Sequence, residues 1–331
     1  MTKPTLRMLE AISQTSLLDD VMREDPVTNE LQSYMAKRTG HESALLVMSG
    51  TMGNQLAIRT HLGQPPHSVL CDHRSHIIHY EAGGMAMLSG TMPCPAIPQN
   101  GVHLTLDDIR KHAVLDDDIH HAPTKLISLE NTLDGLVMPL SDARRITEWA
   151  KAQGIKVHLD GARLWEAVVS GVGSLAEYAG LFDSVSLCFS KGLGAPIGSI
   201  LVGPEQFIKK ARHFRKAIGG GVRQTGVIAA AARAAVEDSF GPDPNGKASK
   251  LQASHSRARK VADMWTSRGG KLSYPVHSNM VWLDLKGAVL DENAIEEIGK
   301  RKGLKLSGGR IVVHYRKLRL RLKFTCGGCV N

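Results

Sequence analysis

The stretch SVSLCFSKGLGAPIGSILVG, residues 184–203, decides how the rest of the chain is read. Val185, Leu187 and Phe189 alternate as in a strand, and Ser199–Gly203 resumes a second one. Between them lies KGLGAP, whose two glycines and proline suit a tight turn and close backbone approach. Lys191 heads that turn. A lysine in a dry place costs free energy unless it is paired or neutral. Lys191 either points to water, as most lysines do, or is a desolvated amine able to form a Schiff base. A partner elsewhere in the chain is needed to decide.

The frame is that of an ordinary globular protein. At 331 residues the chain can bury a full core and divide into two lobes. Apolar content of 42% and charged content of 22% argue against disorder. No run of about 18 apolar residues is present, so no membrane span is expected. The start, MTKPTLRMLE, lacks the apolar core of a secretory leader. Five scattered cysteines suggest reduced thiols and a cytoplasmic setting. The net charge of +9 raises the question of nucleic acid. Much of it sits in a C-terminal cluster, however: Arg310, Arg316, Lys317, Arg319, Arg321 and Lys323. The body carries no nucleic-acid motif, and no such partner is expected.

Strand-then-helix units repeat along the chain. ALLVMSGTMGNQLAIRTHL reads as a strand to Met48, a turn, then a helix. SVLCD and KLISLEN are short apolar runs ending in polar residues. SDARRITEWAKAQG is an amphipathic helix with Ser141 or Asp142 as N-cap and Gly154 as stop. IKVHLDG follows as a buried strand ending at Asp160. This alternation implies an α/β fold with a mainly parallel sheet and ligand groups at the strand ends. The composition breaks at Phe240–Lys250, which reads as a loop between a large first domain, 1–240, and a smaller α/β domain, 241–331.

Partners for Lys191 lie at other strand ends. Asp160 either caps the next helix or faces a cationic ring nitrogen, with Arg163 three residues on. Gly50, Thr51 and Gly53 enter a helix whose backbone N–H groups suit a phosphate. Neither a P-loop nor a dinucleotide fingerprint is present. His73, His76 and His79 recur at three-residue spacing beside Tyr80 and Glu81. They read as metal ligands, as solvated histidines at a helix start, or as one imidazole lying on an aromatic cofactor. No HExxH or paired CxxC accompanies them, so no metal is expected.

In this order, a phosphate cup, a histidine, an aspartate and a lysine resemble pyridoxal-phosphate enzymes of the aspartate-aminotransferase fold, fold type I. More narrowly, SGTMGN, SHIIHYEAGG, LENT, HLDGARLWEA, FSKGLGAPIGS, RKAIGGGVRQTG and GGRIVVH look like the threonine aldolase family, in its fungal low-specificity form. The resemblance implies roles. Lys191 would hold pyridoxal 5'-phosphate covalently, Asp160 would pair with its ring nitrogen, and His76 would stack on the ring. Gly50 and Thr51 would hold the phosphate. Arg223, with Lys216 nearby, would reach a phosphate across a subunit interface, which implies a homodimer or homotetramer. Arg163 would contact ring or substrate, Arg310 would clamp the substrate carboxylate, and Tyr80 joins the substrate set. The implied reaction is aldol cleavage of L-threonine or L-allo-threonine to glycine and acetaldehyde, with His76 or a water it orients as the base.

Three departures stand out. The family's Arg-Ser-Asp-Thr segment should end where Met1 stands, so its substrate-binding serine is absent. Leu133 occupies a position that is histidine in many members. After about residue 315 the chain runs YRKLRLRLKFTCGGCVN instead of into a final helix, with Cys326 and Cys329 as a lone CxxC. Two other readings remain: an alanine racemase on the same scaffold, and an inactive homologue with altered ends.

Overall fold

The computed structural model describes residues 3–288 and 291–315. The basic tail from Arg316 onward, with Cys326 and Cys329, lies outside the described residues. A seven-stranded sheet runs in the order β1-β7-β6-β5-β4-β2-β3. Its strands are β1 (Ser43–Val47), β2 (Ser68–Asp72), β3 (Met92–Ala96), β4 (Thr124–Glu130), β5 (Lys156–Asp160), β6 (Ser184–Cys188) and β7 (Ser199–Gly203). Pairs β2/β3, β2/β4, β4/β5 and β5/β6 are parallel. Strand β7 is antiparallel to both its neighbours, β1 and β6. It alone is reversed in this sheet, because the short Phe189–Gly198 loop has no room for a crossover helix.

The sheet is a middle layer. On β1, Leu46 joins one apolar cluster while Leu45 and Val47 join another. On β2, Leu70 joins the first cluster, and Val69 and Cys71 join a third. Successive side chains of a strand point to opposite faces, so both faces are covered. All five residues of β6, the strand read from the alternation of Val185, Leu187 and Phe189, are buried for this reason. The helix expected to be capped by Ser141 or Asp142 begins two or three residues earlier, at Leu140, with Pro139 as its N-cap. Ser141 and Asp142 therefore lie in its first turn rather than capping it, because proline suits the helix start without needing a donor. Gly154 follows its end in the left-handed region, at φ 69°.

After a π-turn at Val236–Phe240 the chain runs irregularly to the helix Leu251–Thr266. A second sheet, β10-β9-β8, follows, with β8 at Lys271–Leu272, β9 at Met280–Asp284 and β10 at Arg310–Val312. It has its own apolar cluster, which includes Ala258, Val281, Leu283 and Ile295.

Because every strand of the large sheet except β7 runs one way, their C-terminal ends share one edge. Strand β1 leads there into the helix Gly50–His61 and β2 into His76–His79. Glu130 ends β4 opposite Asp160, the end of β5, in register. Strand β6 ends three residues before Lys191. Trp165 fastens this edge from behind. It is 1% exposed, its Nε1 donates to Cys188 O at 3.1 Å, and its ring meets Phe240 edge-on at 5.0 Å. Trp165→Ala leaves a large cavity and an unpaired carbonyl. Denaturant unfolding should show a loss of about 3–5 kcal/mol.

Candidate active site

Asp160 is 4% exposed. Its Oδ1 accepts from Ala162 N at 3.0 Å in a local turn, but it does not cap the following helix, whose N-cap position is Arg163 with no side-chain cap bond. Its Oδ2 accepts from Asn54 Nδ2 at 2.7 Å. The same amide nitrogen donates to Glu81 Oε1 at 2.9 Å. Glu81 is also held by Gln55 Nε2 at 2.6 Å and by His76 Nδ1 at 2.8 Å. An ionised carboxylate only accepts, so the His76 proton sits on Nδ1 and Nε2 carries the lone pair when the ring is neutral.

On its other side Asn54 Oδ1 faces His158 Nε2 at 3.2 Å. Burial pushes His158 down to about 4, so the ring is neutral at pH 7. An amide oxygen only accepts, so Nε2 carries the proton. His158 Nδ1 then accepts from Ser184 Oγ at 2.8 Å, and Ser184 Oγ accepts from His61 Nε2 at 2.7 Å. Every donor in this chain points toward the two carboxylates.

Glu130 stands beside Asp160 and accepts from His76 N at 3.0 Å. Burial and then the Asp160 charge push its carboxyl well above the usual range, against the opposing pull of Lys191 and Arg163. Arg163, at the N-cap of the helix Leu164–Val169, is held below its usual range by burial and then by the like charge of Arg310. Lys191, Asp160, Glu130, Arg163 and Arg310 therefore share one electrostatic environment. Arg310 is exposed on β10, its guanidinium 5.8 Å from the centre of the Trp282 ring.

The other predicted residues are placed less uniformly. Gly50 and Thr51 form the first turn of a twelve-residue helix capped by Ser49. Tyr80 is 72% exposed, its ring 5.4 Å from His76. Arg223 is bound to Asp19 of its own chain at 2.8 Å and is otherwise exposed. Lys216 lies against Gly221 in the same segment. Of the three histidines read as ligand candidates, only His76 joins the carboxylates: an atom from each of His76, Glu81 and Asp160 lies within 4.8 Å of the others. The hydrogen bonds from Asn54 and His76 account for that cluster.

The beta-eliminating lyase family profile matches residues 1–288. The aldolase vrtJ of Penicillium aethiopicum is 53% identical over 95% of this chain and 80% of its own length. The alanine racemase TOXG of Cochliobolus carbonum is 44% identical over 95% and 81%. The low-specificity L-threonine aldolase of Saccharomyces cerevisiae is 46% identical over 96% and 81%. A solved structure from Listeria monocytogenes, described as a putative L-allo-threonine aldolase, superposes with a TM-score of 0.74 at 26% identity, covering 93% of this chain and 86% of that one. The chain belongs to the beta-eliminating lyase family.

This lyase has the fold of type I pyridoxal-phosphate enzymes, and its site fits that cofactor. A β-carbon on Gly50 would sit 2.9 Å from Cys188 Sγ. Glycine there lets the helix N-terminus reach the end of β6, close to Lys191. The first N–H groups of a helix have no intrahelical partner and favour an anion such as a phosphate. The Asp160 carboxylate would accept from a protonated ring nitrogen, and Lys191 would offer the amine.

Sequence reasoning missed Glu130, Asn54, His158 and the structural part of Glu81. His158 had a signal: it precedes Asp160 by two residues on a strand and so shares its face. Asn54 had none, since its role depends on three elements meeting.

The His158 environment predicts a pH dependence of stability. The unfolded chain takes a proton there near 6.5, the folded chain only near 4. Stability is therefore fully present above about 6.5 and falls as acid is added toward 4, by roughly 3 kcal/mol. Glu130, raised, contributes with the opposite sign. The difference in unfolding free energy between wild type and His158→Gln, measured at pH 7 and pH 4.5, should isolate the histidine and shrink in acid.

Proposed function

We propose that this lyase cleaves the Cα–Cβ bond of L-threonine and L-allo-threonine, giving glycine and acetaldehyde. The observation that carries the reading is the meeting of Asp160, Lys191 and a helix N-terminus at one sheet edge, beside two arginines. Pyridoxal 5'-phosphate, when bound, supplies a sink for the electron pair left on Cα. The chain's own groups do the rest. Lys191 Nζ holds the cofactor, and Asp160 keeps a proton on the ring nitrogen. The N–H groups of Gly50 and Thr51 bind the phosphate. Arg163 and Arg310 orient the substrate carboxylate, the bidentate contact to which arginine is suited, and Tyr80 closes the open side.

His76 takes the β-hydroxyl proton on Nε2, the nitrogen left basic by the bond from Nδ1 to Glu81. Leu133 is 6% exposed and offers the hydroxyl neither donor nor acceptor. A site without a polar group there cannot strongly separate the two Cβ epimers. Incubation with each epimer, measuring glycine and acetaldehyde, tests the reading. Conversion of both at rates within about tenfold is expected. Conversion of L-alanine to D-alanine with no aldehyde would replace this reading with racemisation.

Lys191→Ala should abolish borohydride trapping of the cofactor on the chain. Asp160→Ala should retain bound cofactor yet lose about 10²–10³-fold in cleavage per bound cofactor, the usual scale for one electrostatic group at a reacting centre. Trapping at another lysine, or undiminished turnover in Asp160→Ala, would refute these roles.

We further propose a homodimer or higher assembly in which Arg223 serves the neighbouring site. Supporting it, Leu17, Leu18 and Met22 are exposed beside the Arg223 segment, where Asp20 N donates to Arg223 O at 2.8 Å. Exposed apolar groups of this kind fit coverage by a second copy. Mixing Lys191→Ala and Arg223→Ala chains should restore activity above either alone, whereas a fully active monomer in sedimentation would exclude sharing. No helix among the described residues is long and apolar enough to cross a membrane. The described cysteines are free thiols, which supports a cytoplasmic setting.

A further inference from the structure

The loop that carries Lys191 is gripped from outside the large sheet. Gly192 O accepts from His314 Nε2 at 3.1 Å. Leu193 O accepts from Ser239 Oγ at 2.8 Å and from Tyr315 OH at 3.3 Å. His314 and Tyr315 follow β10, the strand that carries Arg310. Next to the same glycine, Glu166 Oε2 accepts from His255 Nε2 at 2.7 Å, and both side chains are almost wholly buried, at 2% and 3% exposure. His255 lies on the helix Leu251–Thr266, Glu166 on the short helix that begins beside Arg163.

The other Glu166 oxygen, Oε1, is buried and has no hydrogen-bond partner. It is aimed at the loop: a β-carbon on residue 192 would sit 2.5 Å from it. A buried carboxylate–imidazole hydrogen bond contributes little to stability for its own sake, and a carboxylate oxygen left without a partner makes it worse. A pair that only glued two helices together would be better replaced by apolar side chains. Its position against the residue that follows Lys191 points instead to orientation of the loop.

We infer that Glu166, held by His255, and His314 are positioning residues that clamp Gly192 and fix the direction of the Lys191 side chain. The clamp touches neither substrate nor cofactor. It rests on the reading that Lys191 carries the cofactor. It also explains why the residue after the lysine is glycine: any side chain would collide with the Glu166 carboxylate. The C-terminal elements thus act on the lysine through backbone, while Arg310 on the adjoining strand faces the substrate side.

The test uses the whole chain loaded with pyridoxal 5'-phosphate. Two properties are read: the pH midpoint of the visible band of the bound cofactor, and cofactor retention on dialysis. His255→Leu removes the donor to Glu166. It should move the midpoint by about one pH unit and weaken retention about tenfold, the scale of one buried acceptor left unpaired. His255→Gln keeps an N–H donor and should stay within about threefold of wild type in retention. His314→Leu acts on the half-buried side of the loop and should move the same two readouts, even where His255→Leu does not fold. Borohydride labelling of the wild type separates the premises. Label on a lysine other than Lys191 overturns the Lys191 assignment, and the clamp with it. Label on Lys191, with midpoint and retention unmoved in folded His255→Leu or His314→Leu chains, overturns the clamp alone.

Discussion

A group of three carboxylates at one edge of a sheet, Asp160 and Glu81 buried and Glu130 half-buried, is the constraint on which the site depends. Parallel pairing of β4 with β5 sets Glu130 beside Asp160, and hydrogen bonds from Asn54 bring Glu81 to Asp160. Buried anions need partners or must take up protons. The chain solves the two cases differently. Asp160 and Glu81 are bonded by neutral amides and by His76, all of them donors. Glu130 has one backbone donor and is pushed toward its neutral form.

The choice of neutral donors for Asp160 has a chemical consequence. An arginine at the Asn54 position would pair with Asp160 and spend its charge inside the protein. Asn54 orients the carboxylate while leaving that charge to act on a cation that docks against it. The next links, His158, Ser184 and His61, are neutral too, with His158 kept neutral by burial. On the reading proposed for Asp160, that cation is the cofactor's ring nitrogen. The two arginines, Arg163 and Arg310, repel one another, and on the same proposed reading an arriving substrate carboxylate relieves that repulsion.

Sequence revealed the backbone of this arrangement and little of its wiring. Lys191 and Asp160 were legible because each follows a short apolar run and precedes small residues, which is how a strand end looks from within one segment. The Gly50–Gly53 turn was legible for the same reason. The reversal of β7 was less so, since an apolar run does not say which way its neighbours point. Asn54, Glu81 and Glu130 could not be ranked, because their importance lies in contacts between residues as far as 106 apart in the chain. The cap of the helix at Leu140 was misread by two or three residues, because serine and aspartate favour that position on average while Pro139 occupies it here.

The same contrast applies to the lysine loop. KGLGAP reads locally as a turn that needs glycine for its own geometry, and Gly194 does adopt the left-handed region, at φ 88°. Gly192 does not; what excludes a side chain there is the Glu166 carboxylate, which belongs to a distant helix and is held by one more remote still. Two glycines in one loop are thus required for unrelated reasons, one by backbone conformation and one by the space a neighbouring side chain occupies. The second reason ties the Lys191 loop to the C-terminal elements, because His255 and His314 both come from there. A change in how those elements pack would reach Lys191 by way of the carbonyls of Gly192 and Leu193, without altering any residue that lines the site.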